Sequence, residues 1–414
     1  MPGAPEERPA LARCIAVSVE EFATEHWGRA PLLSVASDPG RGAGKSFDDL
    51  ITVADVDELV SRRGVRTPFL RMARDGRILP PARYAGPGGA GATVPDQALD
   101  ERVLAAYADG ATLVLQGLHR LWPPLGDFAR QLAGELGHPV GVNAYLTPRD
   151  RQGFATHYDT HDVFVLQIAG TKRWRVHPPI ITDPLAGQPW QGRTEEIAVT
   201  AEGPATLDTV LEPGDALYLP RGWLHSAQAR DELSMHLTVG VFTVTRYALV
   251  EALLGLATEE PALRRSLPMG IDASDPDALG PELDETLRAV TGWLGSVDPE
   301  AVADRLRQRL WRAGRPAPIR PLAQAEAIRS LGPDTRLAVR PQLPWRLQPD
   351  GADQAVLEVF DRTVRFPAYC EPAVRALLTG AATTVAELPG LVPADQLVLA
   401  RRLLQEAVVV PLDP

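Results

Sequence analysis

The chain has 414 residues, 45% of them hydrophobic and 23% charged, a balance that fits globular domains and excludes wholesale disorder, collagen and small disulfide scaffolds. At about 100–200 residues per domain, two to four domains are expected. The formal net charge of −11 argues against a general nucleic-acid binder and suits a basic protein partner.

In chain order, residues 1–45 are predicted to be mostly helical, stopping at Arg29-Ala30-Pro31, and 55–62 forms another short helix. Residues 75–98 are rich in Gly and Pro and read as loop. Residues 118–136 carry Leu121, Leu125, Phe128, Leu132 and Leu136 at helical spacing and end at Gly137. From about 140 the texture changes to short β-rich runs at 140–146, 163–168, 173–176, 216–219 and 235–244, which predict a sandwich or barrel. Helical patterns return at 248–257, 281–294 and 299–311, and 315–321 is a Pro-rich linker. The remainder reads strand, helix (372–378), helix (395–407) and strand (408–411), the order of a small winged-helix module.

The two cysteines, Cys14 and Cys370, form no CxxC, so a reduced compartment is expected. The start of the chain has early acids and no apolar stretch after them, unlike a signal peptide. No run of about 18 apolar residues is present, so no membrane span is expected and the location is read as cytoplasmic. Of 42 basic residues only Lys45 and Lys172 are lysines; a lysine that persists under such a bias toward arginine is a candidate for chemistry.

Candidate chemistry concentrates in Gly153-Phe154-Ala155-Thr156-His157-Tyr158-Asp159-Thr160-His161-Asp162. On a strand, His157 and Asp159 project to one face. They form two thirds of a 2-His-1-carboxylate triad, which binds Fe(II) and leaves three positions open. A rival reading places His157 and His161 one helical turn apart as a zinc pair, but the β-branched run from Val163 favours strand. The third ligand candidate is His225, behind the turns Pro213-Gly214-Asp215 and Pro220-Arg221-Gly222. A double-stranded β-helix returns a distant ligand to its first strand in this way; the alternative is a structural histidine bonded to a carbonyl. Lys172, after a turn at Ala169-Gly170, can sit on the neighbouring strand and point into the same cavity, where a buried ammonium needs an anion. A dicarboxylate cosubstrate would supply it; a solvent-facing lysine is the alternative. Asn143, Tyr145 and Thr147 share one strand face, as do Ser234, His236 and Thr238. Together they suggest a polar barrel interior, although each face alone could be a solvated edge.

These residues resemble a known family. The run Asn143-Ala-Tyr-Leu-Thr-Pro, then Gly153-Phe-Ala-Thr-His-Tyr-Asp159, Val165-Leu-Gln-Ile-Ala-Gly-Thr-Lys172-Arg-Trp-Arg and Tyr218-Leu-Pro-Arg-Gly-Trp-Leu-His225 is similar to the JmjC-type ribosomal oxygenases. The likeness is concentrated in 120–245, and Phe22, His26-Trp27 and Pro31-Leu32-Leu33 resemble the family's opening helix. The resemblance implies an α+β fold: a double-stranded β-helix (jelly-roll, cupin) core with flanking helices over 1–245, a helical dimerisation region over 246–315 and a winged-helix-like domain over 316–414. It implies an Fe(II)- and 2-oxoglutarate-dependent dioxygenase that uses O₂ to hydroxylate a side chain of a ribosomal protein, working as a homodimer. By position, His157, Asp159 and His225 would ligate iron and Lys172 would pair with the far carboxylate of 2-oxoglutarate. Asn143, Tyr145, Ser234, His236 and Thr238 would line the cosubstrate or substrate pocket. Within the family, lysine at position 172 goes with the histidyl hydroxylases and arginine with the bacterial arginyl hydroxylase, so Lys172 leans toward a histidyl target. A peptide- or small-molecule-tailoring hydroxylase on the same core, or a non-catalytic cupin-like binding protein, are the other readings.

Overall fold

The computed structural model describes residues 8–41, 46–74, 76–91 and 93–412, and at Asp231 the backbone alone; Lys45 lies outside the described residues. The chain divides into two units, Met1–Thr243 and Val244–Pro414.

The main sheet of the first unit contains β1 (Leu32–Ser34), β2 (Leu70–Arg74), β3 (Arg77–Ile78), β4 (Thr112–Leu115), β5 (Val140–Thr147), β6 (Asp162–His177), β7 (Leu207–Leu211), β8 (Ala216–Leu219) and β9 (Leu224–Val241), and the short runs Ala85–Gly86 and Gln97–Ala98 pair apart from it. They pair antiparallel in the order β1-β8-β6-β9-β5-β4-β2-β3, with β7 added beside β6. Two long strands make the scaffold. The first half of β6 runs between β8 and the end of β9, and its second half runs between β7 and the start of β9. Each long strand thus passes from one layer to the other, as a double-stranded β-helix requires.

The expected turn at Ala169-Gly170 is a bend inside one strand, so Lys172 lies on the far half of β6, beyond the bend, and not on a separate neighbour. Gly170 makes the bend: its φ is +58° and a Cβ there would stand 1.9 Å from the carbonyl oxygen of Leu233. The β6–β9 register shifts opposite this point, between Arg230 and Met235 and again before His236. Such an irregularity bends the strand and re-aims its side chains.

Alternation sorts the strand residues into two cores. Outward-facing Phe164 and Tyr218 pack with Phe22 and Trp27 of the N-terminal segment; the Phe22 and Tyr218 rings lie 4.9 Å apart. The Tyr218 hydroxyl donates to Asp162 at 2.7 Å and accepts from the Gly28 amide at 2.9 Å. Inward-facing Val163, Val165, Trp174, Val176, Leu211, Leu217 and Leu219 form a separate apolar cluster inside the barrel. The N-terminal stretch is less helical than its composition suggests. Short turns at Pro9–Ala12 and Val19–Glu21 give way to the wider Phe22–His26 turn, and β1 then pairs with β8. Residues 118–136 split into a short turn and a helix over Pro123–Leu136, because Pro123 and Pro124 favour a fresh helix start.

The second unit holds helices over Arg246–Ala257, Pro276–Leu294 and Pro299–Ala313. Its last part contains helices Pro321–Arg329, Glu371–Thr379 and Pro393–Gln405 and a small sheet in which Arg336–Val339 lies between Thr383–Thr384 and Val409–Pro411. A three-stranded meander, Trp345–Asp350, Gln354–Val359 and Arg362–Pro367, is inserted before the second of these helices and was not anticipated.

Replacing Gly170 with alanine should destabilise the protein by about 2 kcal/mol or more, from the left-handed backbone and the carbonyl clash together. Urea unfolding checks this; an unchanged midpoint would contradict the role given to the bend.

Candidate metal and cosubstrate site

The segment before β6 is not helical, which removes the zinc-pair reading. Instead it lies along β9. The His157 amide donates to the His225 carbonyl at 3.1 Å, and the His225 amide returns a bond to the His157 carbonyl at 2.8 Å. The two imidazoles therefore leave one narrow pair on the same side, their ring centres 4.5 Å apart. The Gly222 amide donates to the Asp159 carbonyl at 2.9 Å, anchoring the third residue to the same turn. Gly222 has φ +89°, and a Cβ there would stand 2.5 Å from the Ile181 carbonyl, so the Pro220-Arg221-Gly222 turn needs its glycine.

One nitrogen from each of His157 and His225 and one oxygen from Asp159 lie within 4.8 Å of one another. The Nδ1 of His157 meets the Ala155 carbonyl at 2.7 Å, and that of His225 meets the Trp223 carbonyl at 3.0 Å. A carbonyl only accepts, so Nδ1 carries the proton in both rings and Nε2 is the nitrogen left to face a metal. Burial and the neighbouring His157 push His225 down to about 4, so it is neutral near pH 7. Burial alone would raise the Asp159 carboxyl, but His225, His161 and His157 outweigh it and hold the group below its ordinary value. Two imidazole nitrogens and an ionised carboxylate form the donor set of a three-ligand site with open positions. His225 is buried while His157 and Asp159 are half-buried, so the open side faces the outside.

Deeper in the barrel lies Lys172, only 3% exposed. Its ammonium donates to Thr147 Oγ1 at 2.9 Å and to His236 Nδ1 at 3.3 Å. Among the described residues it has no carboxylate partner, and burial lowers it to about 7. His236 is driven well below its ordinary value by burial and by Lys172. It is therefore the neutral acceptor of the lysine, stacked on Tyr145 at 5.0 Å and met edge-on by Trp174 at 5.4 Å. Trp174 also lies 6.0 Å from His225, joining the two levels. Its indole N–H is buried without a partner. An ammonium with no carboxylate and an indole N–H with no acceptor among the described residues, both against His236, fit an anionic guest.

The two polar faces read from the sequence meet across the β5–β9 pair: Asn143 opposite Thr238, Tyr145 opposite His236, Thr147 opposite Ser234. Asn143 Oδ1 accepts from the Gly117 amide at 2.9 Å, and Ser234 Oγ accepts from Gln167 at 2.9 Å. Thr238 is half-buried. His161 stacks on Phe242 at 5.1 Å. Phe154 and Trp190, at 6.0 and 5.9 Å from His157, and Arg71 were not anticipated. Alternation from Lys172 could have found Trp174; no local pattern marks the others.

The comparisons with known proteins come to the same part of the chain. Residues 127–249 match the JmjC domain family. Human ribosomal oxygenase 1 is 33% identical over 282 residues, 63% of this chain and 41% of that protein. A bifunctional lysine-specific demethylase and histidyl-hydroxylase, NO66, of Drosophila pseudoobscura pseudoobscura is 31% identical over 281 residues, 63% of this chain and 26% of the relative. The chain thus spans less than half the length of these curated relatives. Among solved structures, the ribosomal oxygenase YcfD of Escherichia coli superposes with a TM-score of 0.55 at 18% identity, covering 96% of this chain and 98% of that one, which places the two in one fold. A YcfD complex with cobalt and 2-oxoglutarate gives a TM-score of 0.52 at 17% identity, over 97% and 99% of the two chains.

Lys172→Met should raise the stability of the metal-free protein, because a buried ammonium without a counter-charge is removed. The sign follows from the lowered folded-state value. Above pH 7 the folded lysine loses its proton while the unfolded one keeps it up to about 10.4. The parent therefore gains up to roughly 1.4 kcal/mol per pH unit on the variant over that window. Urea midpoints at pH 6.5 and 8.5 test this; a gap that stays constant would contradict it.

Proposed function

We propose that this chain, which carries a JmjC domain and is a relative of the ribosomal oxygenases, is an Fe(II)- and 2-oxoglutarate-dependent dioxygenase that hydroxylates a protein side chain. The observation that carries this reading is the convergence of His157, Asp159 and His225 above a buried ammonium that has no carboxylate partner among the described residues. The two imidazoles and the carboxylate would hold the ion, and Lys172, with Thr147 beside it, would take the far carboxylate of 2-oxoglutarate. Iron, 2-oxoglutarate and O₂ together supply an oxidant able to attack an unactivated C–H bond, with succinate and CO₂ as by-products. The protein's part is placement and protection. Lys172 offers a point charge and three donors at the closed end. Trp174, Tyr145 and His236 wall the space between that end and the metal ligands, and Phe154 and Trp190 flank the ligands where the site opens. Tyr145 is held protonated by burial and by the Asp159 charge, so its hydroxyl is a donor at neutral pH.

The substrate we assign is a basic ribosomal protein, met in the cytoplasm, with a histidyl target preferred over an arginyl one. The acidic chain, at net charge −11, suits such a partner, the relatives are named for ribosomal oxygenation, and the pocket cation is a lysine. Residues 246–315 are assigned to a homodimer contact: Tyr247, Leu254, Leu283, Leu287 and Leu294 are each 45% or more exposed on the helices there, and grouped exposed apolar side chains mark protein–protein surfaces. The segment 316–414 is read as the winged-helix-like domain.

Intact-mass analysis of ribosomal proteins from a deletion strain and its parent tests the assignment. One protein should lose 16 Da in the deletion strain, the mass of one oxygen atom, and regain it with the parent gene but not with His157→Ala. No mass change on any protein would remove the ribosomal substrate. Affinity for 2-oxoglutarate should weaken by up to about tenfold per pH unit above 7, because neutral Lys172 must first take up a proton; calorimetric titration reads this, and a flat profile would argue against Lys172 as the anchor. Sedimentation should give twice the chain mass, reduced to the single mass by Leu287→Arg; a parent protein already at the single mass would contradict the dimer.

A further inference from the structure

Arg71 lies against Phe154, the ring beside His157, and takes no part in holding a metal or a cosubstrate. It lies on β2, opposite Val114 of β4. Its guanidinium carbon sits 5.8 Å over the ring of Phe154, which is 6.0 Å from Tyr145 and 6.0 Å from His157. The guanidinium and Asn143 both lie near enough to the Tyr145 hydroxyl to work against the upward push of burial on it. The other feature is a deficit: Arg71 Nε is buried and has no hydrogen-bond partner. Three more arginines among the described residues, Arg13, Arg130 and Arg221, share that deficit, but each spends its charge on a carboxylate: Asp49, Asp127 and Asp183 respectively. Among the described residues Arg71 has none.

An arginine stacked on a ring beside a tyrosine is pre-organised. A buried N–H left unpaired there is costly unless something completes it. The missing partner must be an acceptor, and Phe154 puts the guanidinium within one ring of His157, where a bound substrate would lie. The most abundant acceptor on a protein substrate is its own main-chain carbonyl. We propose that Arg71, beside the Tyr145 hydroxyl, is a specificity-determining residue: its free Nε–H takes a carbonyl oxygen of the substrate polypeptide beside the target side chain. The same positive charge disfavours a cationic target side chain at that spot and so supports a neutral one. This inference rests on the protein-hydroxylase reading above.

The test uses the full chain, with succinate release measured against added ribosomal proteins from the deletion strain. In Arg71→Met, KM for the protein substrate should rise at least about tenfold, the effect of losing a hydrogen bond to a charged donor. The rise in KM for 2-oxoglutarate should be much smaller. Arg71→Lys should recover little, since it keeps the charge and loses the fork. Tyr145→Phe separates direct from indirect action: if Arg71 works only by holding Tyr145, the double variant is no worse than Tyr145→Phe alone, and that result would overturn the proposal. An equal rise in both KM values would overturn it too, by marking a general loss of structure. If Arg71→Met fails to fold, Arg71→Gln, which keeps an amide donor, is read by the same two KM values. Failure of the protein-hydroxylase reading looks different: succinate release by the parent enzyme itself would then not respond to ribosomal proteins.

Discussion

The reciprocal pair of backbone hydrogen bonds between His157 and His225 is the constraint on which the rest of the site depends. It fixes two imidazoles, remote in the chain, to a single register across a sheet. Because strand side chains alternate, a slip of one residue would turn one ring away from the other. The carbonyls of Ala155 and Trp223 then set the same tautomer in both rings, and the Gly222 amide holds Asp159 alongside. The metal-ready geometry is therefore a property of the main chain, with side-chain chemistry added to it.

The barrel interior repeats this logic at a second level. Bending β6 at Gly170 carries Lys172 and Trp174 beneath the ligands, where β9 supplies His236 and β5 supplies Tyr145 and Thr147. An apolar floor of Val163, Val165, Leu217 and Leu219 excludes water, which strengthens any charge pairing above it. Such a cavity is an unfavourable place for an unpaired ammonium. The fold tolerates that position through neutral acceptors, which hold the lysine without neutralising it. A pocket that is electrostatically incomplete when empty is matched to an anion when filled.

How much of this was legible in the sequence differs by residue. His157 and Asp159 were visible because the two-residue period of a strand is a local property, and His225 because turn residues bracket it. Lys172 stood out through its rarity among arginines. Ala169-Gly170 carries the same local signal for a turn between two strands and for a bend within one; only the Leu233 carbonyl, far along the chain, decides between them. Trp190 lies in the excursion between β6 and β7, and Arg71 lies on a strand well upstream of the motif. Their roles come from tertiary contacts with His157 and Phe154, which no periodicity encodes. Local composition favours helix in the N-terminal segment, yet Leu32–Ser34 is a strand because β8 offers it an edge.

Metal stoichiometry is the most direct measure of the central claim. Anaerobic titration of the parent protein with Fe(II), or with Co(II) as a spectroscopic substitute, should saturate at one ion per chain. His225→Ala should lose that binding while keeping its far-ultraviolet circular dichroism. Equal binding by the variant, or none by the parent, would contradict convergence of the three side chains on one ion.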